Sequence, residues 1–119
     1  MDNIAQKLKL ANFESSSFQT PEFKSFAREF KREFKKEMKS IGITDITFSV
    51  GHFYISGFFT KYVINPDAVE VKTYYFSISD VRCPQSNMMY RTAKHKKDYT
   101  GGANQWLKIE SGMASKMLL

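Results

Sequence analysis

A chain of 119 residues with a formal net charge of +6 has room for one hydrophobic core and not for two. With 42% apolar and 25% charged residues, eleven Phe and six Tyr among them, its composition is that of a folded, aromatic-rich domain and excludes disorder of the whole chain. No apolar run approaches the roughly 18 residues that cross a bilayer, and the start MDNIAQKLKL lacks the apolar segment of a signal peptide. The lone Cys83 excludes an internal disulfide and a cysteine-rich zinc site. These features lead to the expectation of a cytoplasmic protein without a membrane.

Asp2 is placed to cap a short first helix with Ile4, Leu8 and Ala11 on one side. The serine-rich stretch Asn12 to Gln19 reads as a connector. Thr20, Pro21 and Glu22 form a helix start: a hydroxyl cap, proline at the first helical position and a carboxylate near the positive end of the dipole. The helix they open runs to Ile41, and Gly42 ends it in the left-handed conformation that glycine adopts most readily. At about 100° per residue, Phe23, Phe26, Ala27, Phe30, Phe34, Met38 and Ile41 fall within an arc of roughly 120°. Lys24, Arg28, Lys31, Arg32, Lys35, Lys36 and Lys39 occupy an opposite arc of roughly 140° that holds no acidic residue. Glu29, Glu33 and Glu37 form a seam between the two.

After Gly42 the period changes from 3.6 to 2. Ile46 to Val50 alternates as a half-buried strand, and His52 to Tyr62 is an aromatic second strand whose Gly57 marks a bulge or a close approach. Asn65, Pro66 and Asp67 signal a turn. Val69 to Ser79 is a third strand with Tyr74, Phe76 and Ile78 on one face and Val71, Thr73 and Tyr75 on the other. A loop of Asp80 to Ser86 leads to a fourth strand, Met88 to Ala93, which enters the run Lys94, His95, Lys96 and Lys97. Asp98 to Gly102 reads as a flexible loop, Asn104 to Ile109 as a short fifth strand carrying Trp106, and Ser111 to Leu119 as a weak helix or a tail. Helices first and strands afterwards predict a single α+β domain: a long amphipathic helix packed on one face of a four- or five-stranded antiparallel sheet, with a short N-terminal helix. Phe26, Phe30 and Phe34 are expected to meet Phe48, Phe53, Phe58 or Phe59, and Phe76.

No arrangement of residues names a reaction, and no catalytic residue, metal site or cofactor is expected. His52 and His95 are the only imidazoles, so a hydrolase or nuclease would have to use one of them with Cys83, Asp80 or Asp98. The charge distribution says more. Residues 20–42 hold seven Lys or Arg against four Asp or Glu, residues 82–100 hold five against one, and residues 43–81 hold two against four. Two basic regions on a balanced domain point to a polyanion or an acidic partner, against the plainer reading of a solvated lysine face. In the second region Arg91, Lys94, His95, Lys96, Lys97 and Tyr99 lead through a glycine pair to Trp106, which combines phosphate-binding charge with rings for base stacking. The plainer reading there is a charged hairpin tip that protects a sheet edge. The compact cluster is expected to fix bound geometry and the helix ridge to add sequence-independent attraction.

The blocks GHFYISGFF (51–59), YYFSISDVR (74–82) and YRTAKHKKDYTGGANQW (90–106) resemble a family of small proteins encoded by phages, plasmids and conjugative elements of Gram-positive bacteria. The resemblance extends from about Thr20 to Trp106. It implies a mobile-element protein in a host bacterial cell and, by association, an inhibitor of host defence such as an anti-CRISPR protein. Many such inhibitors are acidic mimics of DNA. A basic chain departs from that pattern, which favours RNA, DNA or a nucleoprotein effector such as a Cas nuclease as partner. The alternative is a protein-protein interaction module, or a homodimer, built on an exposed aromatic face of Phe53, Tyr54, Phe58, Tyr74 and Tyr75.

Overall fold

The computed structural model describes residues 21–50, 54–79, 87–99 and 103–117, without the side chains of 21–23, 54 and 79. The expected first helix, the connector, the Thr20 cap, His52, Phe53 and Cys83 lie outside the described residues. Helix α1 (Pro21–Ser40) has 20 residues. It is followed by strands β1 (Asp45–Val50), β2 (Tyr54–Ile64), β3 (Val69–Ser79), β4 (Asn87–Ala93) and β5 (Gln105–Lys108), and by a short helix α2 (Met113–Met117). Together the strands form one antiparallel sheet in the order β1-β2-β3-β4-β5, a meander in which each strand pairs with its neighbours in sequence. The fold is therefore α+β. Among the described residues no helix is long and apolar enough to cross a membrane.

Helix α1 ends in a Schellman motif. Gly42 has φ +87°, its N–H donates to the Lys39 carbonyl at 3.0 Å, and the Ile43 N–H reaches back to the Met38 carbonyl at 2.9 Å. These two bonds satisfy the last carbonyls of the helix, and the accompanying apolar contact is supplied by Met38 and Ile43, both in the core. Along the apolar arc the rings of Phe26, Phe30 and Phe34 stack in succession, with centroids 5.7 and 5.0 Å apart. Phe34 then meets the edge of Phe76 on the central strand β3 at 5.2 Å.

Register determines which side chains face the helix. Ile46, Phe48, Ile55, Phe59, Tyr74, Phe76, Ile78, Met88, Tyr90 and Leu107 share the face that forms the core with α1. Phe58 lies on the opposite face, paired with Tyr75, so of the candidates Phe58 and Phe59 only Phe59 packs in that core. Gly57 marks a close approach and not a bulge, because the pairing Phe48, Gly57, Phe76 runs through it without a break. A Cβ at that position would lie 1.9 Å from the Thr47 carbonyl oxygen and 2.8 Å from Cζ of Phe76. The missing side chain lets the Phe76 ring lie over the strand and meet Phe48 at 5.7 Å.

The acidic seam of α1 positions the C-terminal helix. The Glu37 carboxylate accepts the N–H groups of Gly112 and Ala114, both at 3.2 Å. Met113, Ala114 and Met117 of α2 are buried in the core. The seam therefore includes one residue that ties two elements together.

Candidate functional site

The two basic regions lie on opposite sides of the molecule. Lys24, Arg28, Lys31, Arg32, Lys35, Lys36 and Lys39 are all exposed on the outer side of α1, whose inner side carries the buried Phe26, Phe30, Phe34 and Met38. Two of these cations make neighbouring contacts: Lys31 Nζ stands 5.8 Å from the ring centroid of Phe48, and Arg32 pairs with Glu33 at 3.5 Å. Both remain solvated, so the ridge keeps its positive charge.

The second region caps the sheet face that α1 does not cover. Strand β4 ends at Ala93, opposite Thr73, and the chain turns sharply. The Lys94 N–H donates to Asp98 Oδ2 at 2.9 Å, the Asp98 N–H donates to the His95 carbonyl at 3.1 Å, and Lys97 takes a φ of 76°. Asp98 is buried at 7% exposure, so the turn is closed around this carboxylate; at Asp98 the expected flexible loop is corrected to an anchored one. The turn then reaches across the sheet, where Lys96 Nζ bonds Asp45 Oδ1 on β1 at 2.7 Å. The bond to Lys96 and its charge hold the Asp45 carboxyl below its ordinary value, with burial opposing and Thr60 assisting.

Behind this strap lies a second, smaller aromatic cluster. Phe58 and Tyr75 pack at 5.1 Å, and Tyr99 sets its edge against both, at 5.5 and 5.7 Å. The Arg91 guanidinium stacks on Tyr75 at 4.6 Å. Phe58 and Tyr75 are buried at 6% and 8%, and Tyr74 lies on the helix face against Phe59 at 4.9 Å. Of the five rings expected on one exposed face, the three described ones do not form it: Tyr74 faces the helix, and Tyr99 covers Phe58 and Tyr75, which sequence periodicity within one strand cannot reveal; Phe53 and the Tyr54 side chain lie outside the described residues.

The structure accordingly divides the candidate residues. Arg91 and Lys96 are engaged in packing and pairing. Lys94, His95 and Lys97 are exposed at the turn, where His95 Nδ1 meets the Lys96 carbonyl at 2.6 Å. Tyr99 and Trp106 remain 61% and 46% exposed. Among the described residues no group of three or more His, Cys, Asp or Glu side chains converges on a common point. No family model matches the chain, and neither a curated protein nor a solved structure matches it.

An apolar surface that sequence reading did not single out lies on the β2-β3 hairpin. Pairing of β1 with β2 stops at Thr60, and pairing of β3 with β4 stops at Thr73. Residues 61–64 and 69–72 therefore pair only with each other and form a two-stranded arm. Tyr62 pairs with Val71 and Ile64 with Val69, which puts all four on the face away from α1, at 58%, 57%, 81% and 60% exposure. The available signal was the strand lengths: two strands of 11 residues flanked by strands of 6 and 7 must overhang.

Proposed function

We propose that the protein is a non-enzymatic nucleic-acid-binding protein that engages the phosphate backbone of RNA or DNA through the outer side of α1. The observation that carries this reading is the ridge itself: seven exposed cations on one rigid helix, spread along roughly 22 Å of axis at 1.5 Å per residue. A rigid array of this kind meets phosphates without ordering a loop first, and it reads no bases, so the binding is independent of sequence. Lys94, Lys97, Tyr99 and Trp106 lie about one helix-plus-sheet thickness away, on the order of 15 Å. A polyanion held on the ridge would reach Lys94 and Lys97 round the β1 edge, where Lys31 stands near Phe48 on one side and Lys96 pairs with Asp45 on the other.

On the resemblance of the three sequence blocks, we place this activity in a mobile-element protein that acts on a nucleoprotein effector of host defence, a Cas nuclease being the type of target. Anisotropy titrations of labelled single-stranded RNA and duplex DNA against the full chain test the binding step. Saturable binding at low salt that weakens steeply as salt rises supports it. No binding at 50 mM salt, to free nucleic acid or to a guide-loaded effector, overturns it.

A further inference from the structure

The overhanging arm is amphipathic in a way that neither the sheet core nor the basic ridge requires. Its α1-side face carries Lys61 opposite Lys72 and Val63 opposite Glu70. Its other face is the uninterrupted apolar strip of Tyr62, Ile64, Val69 and Val71, more than half exposed at every position. These four residues present roughly 450 Å² together, the size of the largest apolar patch on a typical monomer, which is often functional.

We propose that this strip is a self-association surface, and that its occupant is the same strip of a second copy lying antiparallel across it. Charge selects this occupant. The arm holds Lys61, Lys72, Asp67 and Glu70 and is neutral, in a chain of net charge +6. Two copies can therefore meet at the arm with little of the repulsion they would meet at α1. The strip is also flanked by opposite charges. Asp67 is exposed at the tip, and Lys94 and Lys97 are exposed on the strap at its base. With a strand rise of about 3.4 Å per residue, tip and strap each lie about 10 Å from the strip centre near Val63. A two-fold axis through that centre brings the Asp67 of each copy over the Lys94 and Lys97 of the other. Such a pairing is isologous and closed, so it stops at a dimer.

The two strips bury roughly 900 Å² between them, and the tip-to-strap contacts bring the total to the lower end of specific interfaces, about 1,200 Å². Interfaces of that size include the weak, transient encounters, so the affinity to look for is about micromolar or weaker. Sedimentation velocity of the full chain from about 5 to 500 μM, a range chosen to bracket that affinity, tests this. A concentration-dependent monomer-dimer transition is expected. Ile64→Lys with Val69→Lys should remove it while the thermal melt stays close to that of the unmodified chain. Asp67→Lys and Lys94→Glu should each weaken it several-fold, and the two together in one chain should recover part of what Asp67→Lys alone loses, because the contact at position 94 attracts again while Lys97 still opposes. A monomer at every concentration, association indifferent to the paired Ile64→Lys and Val69→Lys change, or a double reversal that associates no better than Asp67→Lys alone overturns the proposal. Flotation of a monomeric chain with phosphatidylcholine vesicles in an Ile64-dependent manner also overturns it, by assigning the strip to a lipid surface.

Discussion

Replacing Arg28, Arg32 and Lys36 with Gln tests the ridge directly. All three are exposed on the outer side of α1 and belong to its cationic arc. Gln is a good helix former, so folding stability should change by less than about 0.5 kcal/mol. The arc spans roughly 140° of helix circumference, too wide for all seven cations to touch one duplex, so about four phosphate contacts are expected at once. Each contributes about −0.9 to the slope of log affinity against log salt, giving about −3.6 and a roughly 150-fold loss between 50 and 200 mM salt. If the triple replacement removes two of the four contacts, the slope falls to about −1.8 and the loss over the same interval to roughly 12-fold. Anisotropy titrations at four salt concentrations measure both slopes. Gln at Lys94 and Lys97, on the other side of the sheet, should lower the slope by less than about one unit. A triple variant that keeps the full slope shows the ridge to be solvated surface, and a Lys94, Lys97 variant that loses most of it moves the binding face to the strap.

Gly57→Ala should destabilise the fold by about 3 kcal/mol in urea unfolding, because the new Cβ meets backbone at Thr47 that cannot move aside; a loss under about 1 kcal/mol would sink the close-packing account. Gly42→Ala, in open space but at φ +87°, should cost only about 1 kcal/mol. Glu37→Ala removes the acceptor of two N–H groups and should cost about 1–2 kcal/mol, with the added hydrogen exchange concentrated in α2; uniform exchange across the domain would contradict its role as a local tie. Asp45 is held below its ordinary value of 3.8, so the folded state binds this proton less readily than the unfolded one. Its contribution is complete above about pH 3.8 and is lost as pH falls through the lowered folded value. The urea midpoints of the unmodified chain and of Asp45→Asn should therefore differ at pH 6, and the gap should narrow as pH falls below about 3.8; a gap that does not narrow at all would show that the difference does not come from the charged pair.

Where one element decides its own geometry, the sequence was legible. The apolar arc of α1, its glycine stop and the bounds of β3 at Val69–Ser79 follow from local rules: a 3.6-residue period, the freedom of glycine at positive φ and the two-residue alternation of strands. Strand ends were less legible. β2 runs to Ile64, beyond the expected Tyr62, because its partner β3 continues to Val69 and the pairing extends to the turn. A strand end is set by its neighbour as much as by its own residues, and the arm with its apolar strip went unread for that reason.

The candidate site shows the same limit in its electrostatics. Counting Lys and Arg along the chain finds two basic regions, but their meaning depends on which sheet face each occupies and on what lies beneath. Lys96 reads as a free cation until β1 brings Asp45 within 2.7 Å of it, 51 positions away in sequence. Arg91 reads as a phosphate ligand until register places Tyr75 under its guanidinium. The ridge on α1 lost none of its seven exposed members in the same passage from sequence to fold, because a helix packed by its opposite side leaves its outer side to solvent. Charge on a rigid element whose apolar side is already committed is therefore the firmer guide to function here. Charge on a turn has to be tested first against the nearest carboxylate and the nearest ring.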